Sequence, residues 1–125
     1  MNQKPNILLI EDDPIFSKIF ARDARNKGLE CTTCSNVNEI ADLLNFDFKT
    51  IVIDYNLGTD SHCNGLDLAK LFSNLDSRTP IVLVSSSERH EIEGSWPFQV
   101  KQFVCKKGGV EKVVNSVVQI TSQSA

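Results

Sequence analysis

The sequence predicts an α/β fold, a single doubly wound sheet of five parallel strands, and three observations carry that expectation. Short apolar runs alternate with stretches of helical period along the whole chain. Its strongest runs, Ile7-Leu8-Leu9-Ile10 and Ile81-Val82-Leu83-Val84, are apolar at every position, as strands covered on both faces require. A length of 125 residues suits one ordinary domain, so residues 1–125 are expected to form one unit.

Taken in order, Ile7 to Ile10 is the first strand and ends at Glu11-Asp12-Asp13. Asp13-Pro14 starts a helix, an N-cap acceptor followed by proline at the first helical position. Ile15, Phe16, Ile19, Phe20 and Ala24 recur on it at helical spacing, and Gly28 ends it. The second strand spans 29–34. Asn36, with Glu39 three residues on, begins the second helix at a capping-box spacing, and Val37, Ile40, Ala41, Leu43 and Leu44 supply its buried side. Ile51-Val52-Ile53 is the third strand, closed by Asp54. Tyr55 to Asn64 reads as a polar loop. Asn64-Gly65-Leu66-Asp67 starts a helix carrying Leu66, Leu68, Ala69, Leu71, Phe72 and Leu75. Pro80 opens the fourth strand, where its missing N–H is tolerable, and Ser85-Ser86-Ser87 closes it. Segment 88–99 has a poor helical period, and Gly94 and Pro97 break any helix early, so a short or irregular helix is expected there. Val100 to Cys105 is the fifth strand, ending at Lys106-Lys107. Val110, Val113, Val114, Val117 and Val118 put one apolar stripe on a last helix.

Composition excludes several function classes. Thirteen Lys and Arg against sixteen Asp and Glu leave a net charge of −3, the wrong sign for direct nucleic-acid binding through phosphates or for attachment to an anionic membrane. No apolar run approaches the length of a membrane span, and no signal peptide follows Met1, so a cytoplasmic location is expected. Cys31 and Cys34 form C-x-x-C, a spacing that can mark a redox pair or half a zinc site. Here they fall three apart on a strand and would point to opposite faces, which favours reduced structural cysteines. His62 and His90 lie in polar segments and read as solvated.

A doubly wound sheet places its ligands beyond the carboxyl ends of the strands. Those ends carry Glu11-Asp12-Asp13, Asp54, Ser85 and Lys106. Carboxylates gathered against one lysine cannot all stay ionised cheaply without a cation, and hard oxygen donors in a shallow site suit Mg²⁺ better than zinc. Asp13 could serve as a cap only or touch the metal. A nucleotide or flavin binder would be expected to carry a glycine-rich phosphate loop after the first strand; the acids stand there instead.

Leu9-Ile10-Glu11-Asp12-Asp13, Ile53-Asp54-Tyr55-Asn56-Leu57, Val84-Ser85-Ser86 and Phe103-Val104-Cys105-Lys106, in this order and each at a strand end, resemble the receiver domain of two-component response regulators. The resemblance implies a flavodoxin-like strand order of 2-1-3-4-5. It implies Asp54 as phospho-acceptor, Glu11, Asp12, Asp54 and the backbone carbonyl of Asn56 as the Mg²⁺ site, and Ser85 and Lys106 as partners of the phosphoryl group. Ser85 and Phe103 would form the switch. The implied function is phosphorelay signalling by a stand-alone receiver that is not an enzyme in its own right. Its partners would be a sensor histidine kinase or histidine phosphotransfer protein and an unknown downstream protein in trans. The alternative is a receiver fold used as a protein-interaction module without phosphorylation. A small Mg²⁺-dependent phosphatase fits less well, because Asn56 stands where such enzymes carry a second acid.

Three features depart from the family pattern. Thr59-Asp60-Ser61-His62-Cys63 lengthens the loop after Asp54, as a surface insertion or as a determinant of access. Lys107 stands where proline is common, and a cis bond before it would cost about 3 kcal/mol. Segment 88–99, with Trp96 and Pro97, cannot supply the usual long helix before the fifth strand.

Overall fold

A computed structural model describes residues 4–36, 39–43, 47–57, 64–75, 78–87 and 95–123 of the chain. Its strands are β1 (Asn6–Ile10), β2 (Glu30–Cys34), β3 (Thr50–Asp54), β4 (Ile81–Ser85) and β5 (Val100–Cys105). They pair in parallel in the order β2-β1-β3-β4-β5, as expected. Among the described residues the α-helices are α1 (Pro14–Asn26), α2 (Ile40–Leu43), α3 (Gly65–Leu75) and α4 (Val110–Gln123), and a 3₁₀ turn spans Lys106–Gly108.

Every residue of β3 and β4 is buried, because helices cover both faces of the sheet. Ile7, Leu9, Val52, Val82, Val84 and Val104 face α1 and α4, meeting Phe16, Phe20, Ala24, Val113, Val114 and Val117. Leu8, Ile10, Ile51, Ile53, Ile81 and Leu83 face the other way, toward Ile40 of α2 and Leu68, Ala69 and Phe72 of α3. Alternate residues of one strand thus feed two separate cores. Cys31 belongs to the first and Cys34 to the second, both as free thiols, so the C-x-x-C pair does diverge.

The helix ends follow local chemistry. Asp13 caps α1, its Oδ1 accepting the N–H groups of Ile15 (3.0 Å) and Phe16 (3.4 Å), and Pro14 occupies the first position. Helical residues stop at Asn26, and Gly28, at φ +91°, turns the chain into β2. At the start of α3, Asn64 Oδ1 accepts the Asp67 N–H (2.9 Å) while Asp67 Oδ2 accepts that of Asn64 (3.0 Å), a reciprocal cap.

Some boundaries differ from expectation. Residues 37 and 38 lie outside the described residues; on either side of them the Glu39 N–H donates to the Asn36 carbonyl (3.0 Å), and the α-helical residues of α2 run only from Ile40 to Leu43. The expected short helix before β5 falls largely on 88–94, outside the described residues, and 95–99 is not helical. Gly94, Val37, Leu44, His62, His90 and the 59–63 insertion also lie outside them, as does the side chain of Ala41. No cis peptide bond occurs among the described residues, Lys106–Lys107 included. No described helix is long and apolar enough to cross a membrane.

Register along β5 contains one irregularity. Ile81 lies opposite Val100 but Val82 lies opposite Gln102, so Lys101 is an extra residue, a bulge. Beyond it Phe103 pairs with Leu83, Val104 with Val84 and Cys105 with Ser85.

Candidate phosphoryl-transfer site

The carboxyl ends of β1, β3, β4 and β5 meet along one edge of the sheet. Register places Ile10 beside Ile53, and Asp54 beside Val84. Glu11 therefore leaves β1 next to the end of β3, Ser85 follows one residue past the partner of Asp54, and Lys106 follows Cys105 on the far side of Ser85.

Glu11, Asp12 and Asp54 each bring a carboxylate oxygen within 4.8 Å of the others. Glu11 is 1% exposed and Asp54 4%, while Asp12 opens to solvent. Lys106 Nζ donates to Glu11 Oε1 and, at 3.2 Å, to Asp54 Oδ2. The Asn56 N–H donates to Asp54 Oδ1 at 3.3 Å, and the Asp13 N–H to Glu11 Oε2 at 3.3 Å. Asp13 itself is spent on the cap of α1 and lies outside the three-acid group.

Electrostatics mark the site as acid-crowded. Burial first, and then the neighbouring Asp54 carboxyl, push Glu11 up to about 7 despite its pairing with Lys106. Burial and the hydrogen bond with Glu11 raise Asp12 as well. Burial works against the Lys106 ammonium, but the Glu11 and Asp54 carboxylates outweigh it and hold the amine above the ordinary lysine range. A buried carboxyl driven toward its neutral form beside two others marks a place where a divalent cation would relieve the crowding. Three hard oxygen donors, one of them open to water, fit Mg²⁺, which binds through few carboxylates and keeps several waters.

Ser85 is fully buried, and its Oγ accepts the Ser87 N–H at 3.0 Å. Phe103 is half-buried, with its ring 5.5 Å from that of Trp96. The structure thus brings Glu11, Asp12, Asp54 and Lys106 into one cluster, with Asn56 bonded to Asp54 and Ser85 on the adjoining strand end. Phe103 sits three residues upstream of Lys106, on the face that meets α3.

Two positions acquire importance that their sequence setting did not convey. Gly65 lies against the backbone of Asp54: a Cβ there would stand 2.3 Å from the Asp54 carbonyl oxygen and 2.6 Å from Tyr55 Cα. Its N–H donates to the Tyr55 carbonyl (2.8 Å), and the Tyr55 N–H donates to that of Val84 (2.7 Å), tying the loop after Asp54 to α3 and β4. The available signal was an Asn-Gly pair opening a helix directly after the loop. Phe16, seen from sequence as one more apolar position of the first helix, places its ring beneath Lys106, 4.4 Å from Nζ to the ring centroid.

Comparison with known proteins agrees with this geometry. The sequence matches the family model of the response regulator receiver domain over residues 7–118. No curated protein matches the chain. Among solved structures, the chain is similar to the CheY-like response regulator receiver domain protein of Methanospirillum hungatei JF-1, at 14% identity and TM-score 0.80 over 98% of this chain and 97% of that one. It is also similar to the response regulator TrrA of Thermotoga maritima in complex with Mg(2+)-BeF, at 16% identity and TM-score 0.78 over 93% and 98%. A third is a response regulator protein of Burkholderia pseudomallei with a phosphorylated aspartic acid, at 22% identity and TM-score 0.74 over 95% and 69%. At such identities these likenesses speak for the fold.

Proposed function

The chain belongs to the response regulator receiver domain family, and from that premise we propose that Asp54 accepts a phosphoryl group from a phosphohistidine donor, with Mg²⁺ held by Glu11, Asp12, Asp54 and the Asn56 carbonyl. The donor would be a sensor histidine kinase or a histidine phosphotransfer protein. The observation that carries this reading is the convergence of three carboxylates within 4.8 Å with Lys106 bonded to the buried Asp54.

In the transfer, an Asp54 carboxylate oxygen forms the new bond to phosphorus. The bond from phosphorus to the donor imidazole nitrogen breaks, and that nitrogen keeps the electron pair and takes a proton. Phosphoryl transfer asks little covalent chemistry of the protein, so positioning and charge neutralisation decide the rate. Bound Mg²⁺ would offset charge on the phosphoryl oxygens. Lys106, bonded to Glu11 and Asp54, supplies a second positive charge and can exchange its bond to Glu11 for one to the phosphoryl group. The Asn56 N–H fixes the Asp54 carboxylate through Oδ1. Ser85 Oγ, buried at the same edge, would turn to donate to a phosphoryl oxygen. That shift would reach Phe103 through the β4–β5 pairing and change the surface offered to a partner protein. The chain itself turns over no separate substrate in this scheme; it is a phospho-acceptor that assists its own transfer.

Incubation with a small phosphodonor and Mg²⁺, followed by intact mass, tests the proposal. The expected product carries one phosphate, is labile to hydroxylamine and does not form in Asp54→Asn. An unmodified chain, together with full partner activity of Asp54→Asn, would instead favour the interaction module that never uses phosphorylation.

A further inference from the structure

The geometry points to Phe16 as a positioning residue for the transfer site, its ring face holding the Lys106 ammonium over the acids and ready for the incoming phosphoryl group; this rests on the phosphoryl-transfer reading of Asp54. Lysine carries its charge on a flexible four-carbon stem, so something must aim it. The backbone of Lys106 offers little help: it opens a single 3₁₀ turn whose preceding residue, Cys105, gives no side-chain cap and which runs into Gly108 and Gly109.

Aim comes instead from the surroundings of the amine. Glu11 and Asp54 accept two of its protons, and the Phe16 ring centroid lies 4.4 Å from Nζ. That is well inside the roughly 6 Å over which a ring quadrupole attracts a cation. The ring is itself fixed. It is 8% exposed, stacks on Phe20 at 6.1 Å and 23°, and hangs from an N–H bonded to the Asp13 cap. An aromatic face attracts the charge without accepting a conventional hydrogen bond, so it keeps hold of the ammonium while the bond to Glu11 is exchanged for one to a phosphoryl oxygen. An aliphatic side chain of similar volume could fill the space but would not hold the charge.

The test compares the parent with Phe16→Leu, Phe16→Met and Phe16→Tyr, using acetyl phosphate as donor. In Phe16→Leu and Phe16→Met the maximal rate of Asp54 phosphorylation should fall about three- to tenfold, with the half-saturating Mg²⁺ concentration unchanged. Phe16→Tyr should restore the rate. Proton NMR of the Lys106 ε-methylene reads the contact itself: ring-current upfield shifts in the parent and Phe16→Tyr, lost in Phe16→Leu. The parent spectrum decides even where a variant fails to fold. A parent without the upfield shift, or a phosphorylated parent whose aliphatic variants match it in rate, overturns the assignment alone. A parent that takes no phosphate overturns the transfer reading and this assignment with it.

Discussion

Gly65→Ala is the substitution for which the structure gives the sharpest expectation. The added Cβ would sit 2.3 Å from the Asp54 carbonyl oxygen, 2.6 Å from Tyr55 Cα and 2.8 Å from the Asp54 carbonyl carbon. All three are backbone atoms, so no rotamer change relieves the contact. The oxygen must retreat by at least about 0.7 Å to reach 3.0 Å, the distance below which real Cβ contacts are essentially never seen. Overpacking of this kind costs about 1–3 kcal/mol. Lengthening of the Gly65 N–H bond to Tyr55 adds about 1 kcal/mol, and the better helix propensity of alanine returns a similar amount. The net is about 2 kcal/mol of lost stability, or roughly 5–10 °C in Tm for a chain of this size. Because the atoms that move belong to the proposed acceptor, its phosphorylation by a small donor should also slow by on the order of 10–100-fold. Urea unfolding and intact-mass kinetics read the two effects. Gly108→Ala is the control, since its Cβ would meet only the flexible Lys112 side chain, 2.6 Å from Cδ. Gly65→Ala within about 0.5 kcal/mol of the parent and phosphorylated at its rate would show the close approach to be immaterial.

Stability should depend on pH through Glu11. Its folded-state value of about 7, raised mainly by burial, lies above the ordinary 4.5, so the folded chain keeps a proton that the unfolded chain has released. That contribution is complete below about 4.5 and is lost as pH rises through about 7. Without Mg²⁺ the urea midpoint should fall between about pH 5 and about pH 8, and Mg²⁺, which favours the ionised acid, should flatten the profile; a midpoint that rises would contradict the assignment. Phe20→Ala empties a fully buried site between α1 and the sheet and should lower the unfolding free energy by about 3–5 kcal/mol, measured by chemical denaturation. Burial pushes the Cys31 thiol up to about 11 and raises Cys34. Both should resist alkylation in the folded chain, and diamide should not link them; a Cys31–Cys34 disulfide in a peptide map of native protein would show that they share a face after all.

Much of this molecule is legible in its sequence, for an identifiable reason. The strands are contiguous apolar runs ended by charged or hydroxyl residues, and Asp13-Pro14 and Asn64-Gly65-Leu66-Asp67 announce helix starts through side-chain chemistry a few residues long. The acid cluster was legible too, because parallel strands bring their carboxyl ends together whatever separates them in sequence. What escaped is what depends on three-dimensional approach. Phe16 and Lys106 are ninety residues apart, and a Phe at helical spacing reads as core. The closeness of Gly65 to Asp54 follows from how α3 docks, which no local pattern encodes.

The extra residue at Lys101 has a bearing on how such a chain can change through descent. Val100 and Lys101 together span what one residue of β4 spans, so removing Lys101 would close the bulge and leave Phe103 opposite Leu83 and Lys106 beside the acids. A residue lost or gained between Gln102 and Cys105, where the pairing is regular, would instead turn the side chains beyond it to the opposite faces and carry Lys106 one position away from the acids. One strand thus holds a place where a change of length is absorbed beside a stretch where it is not.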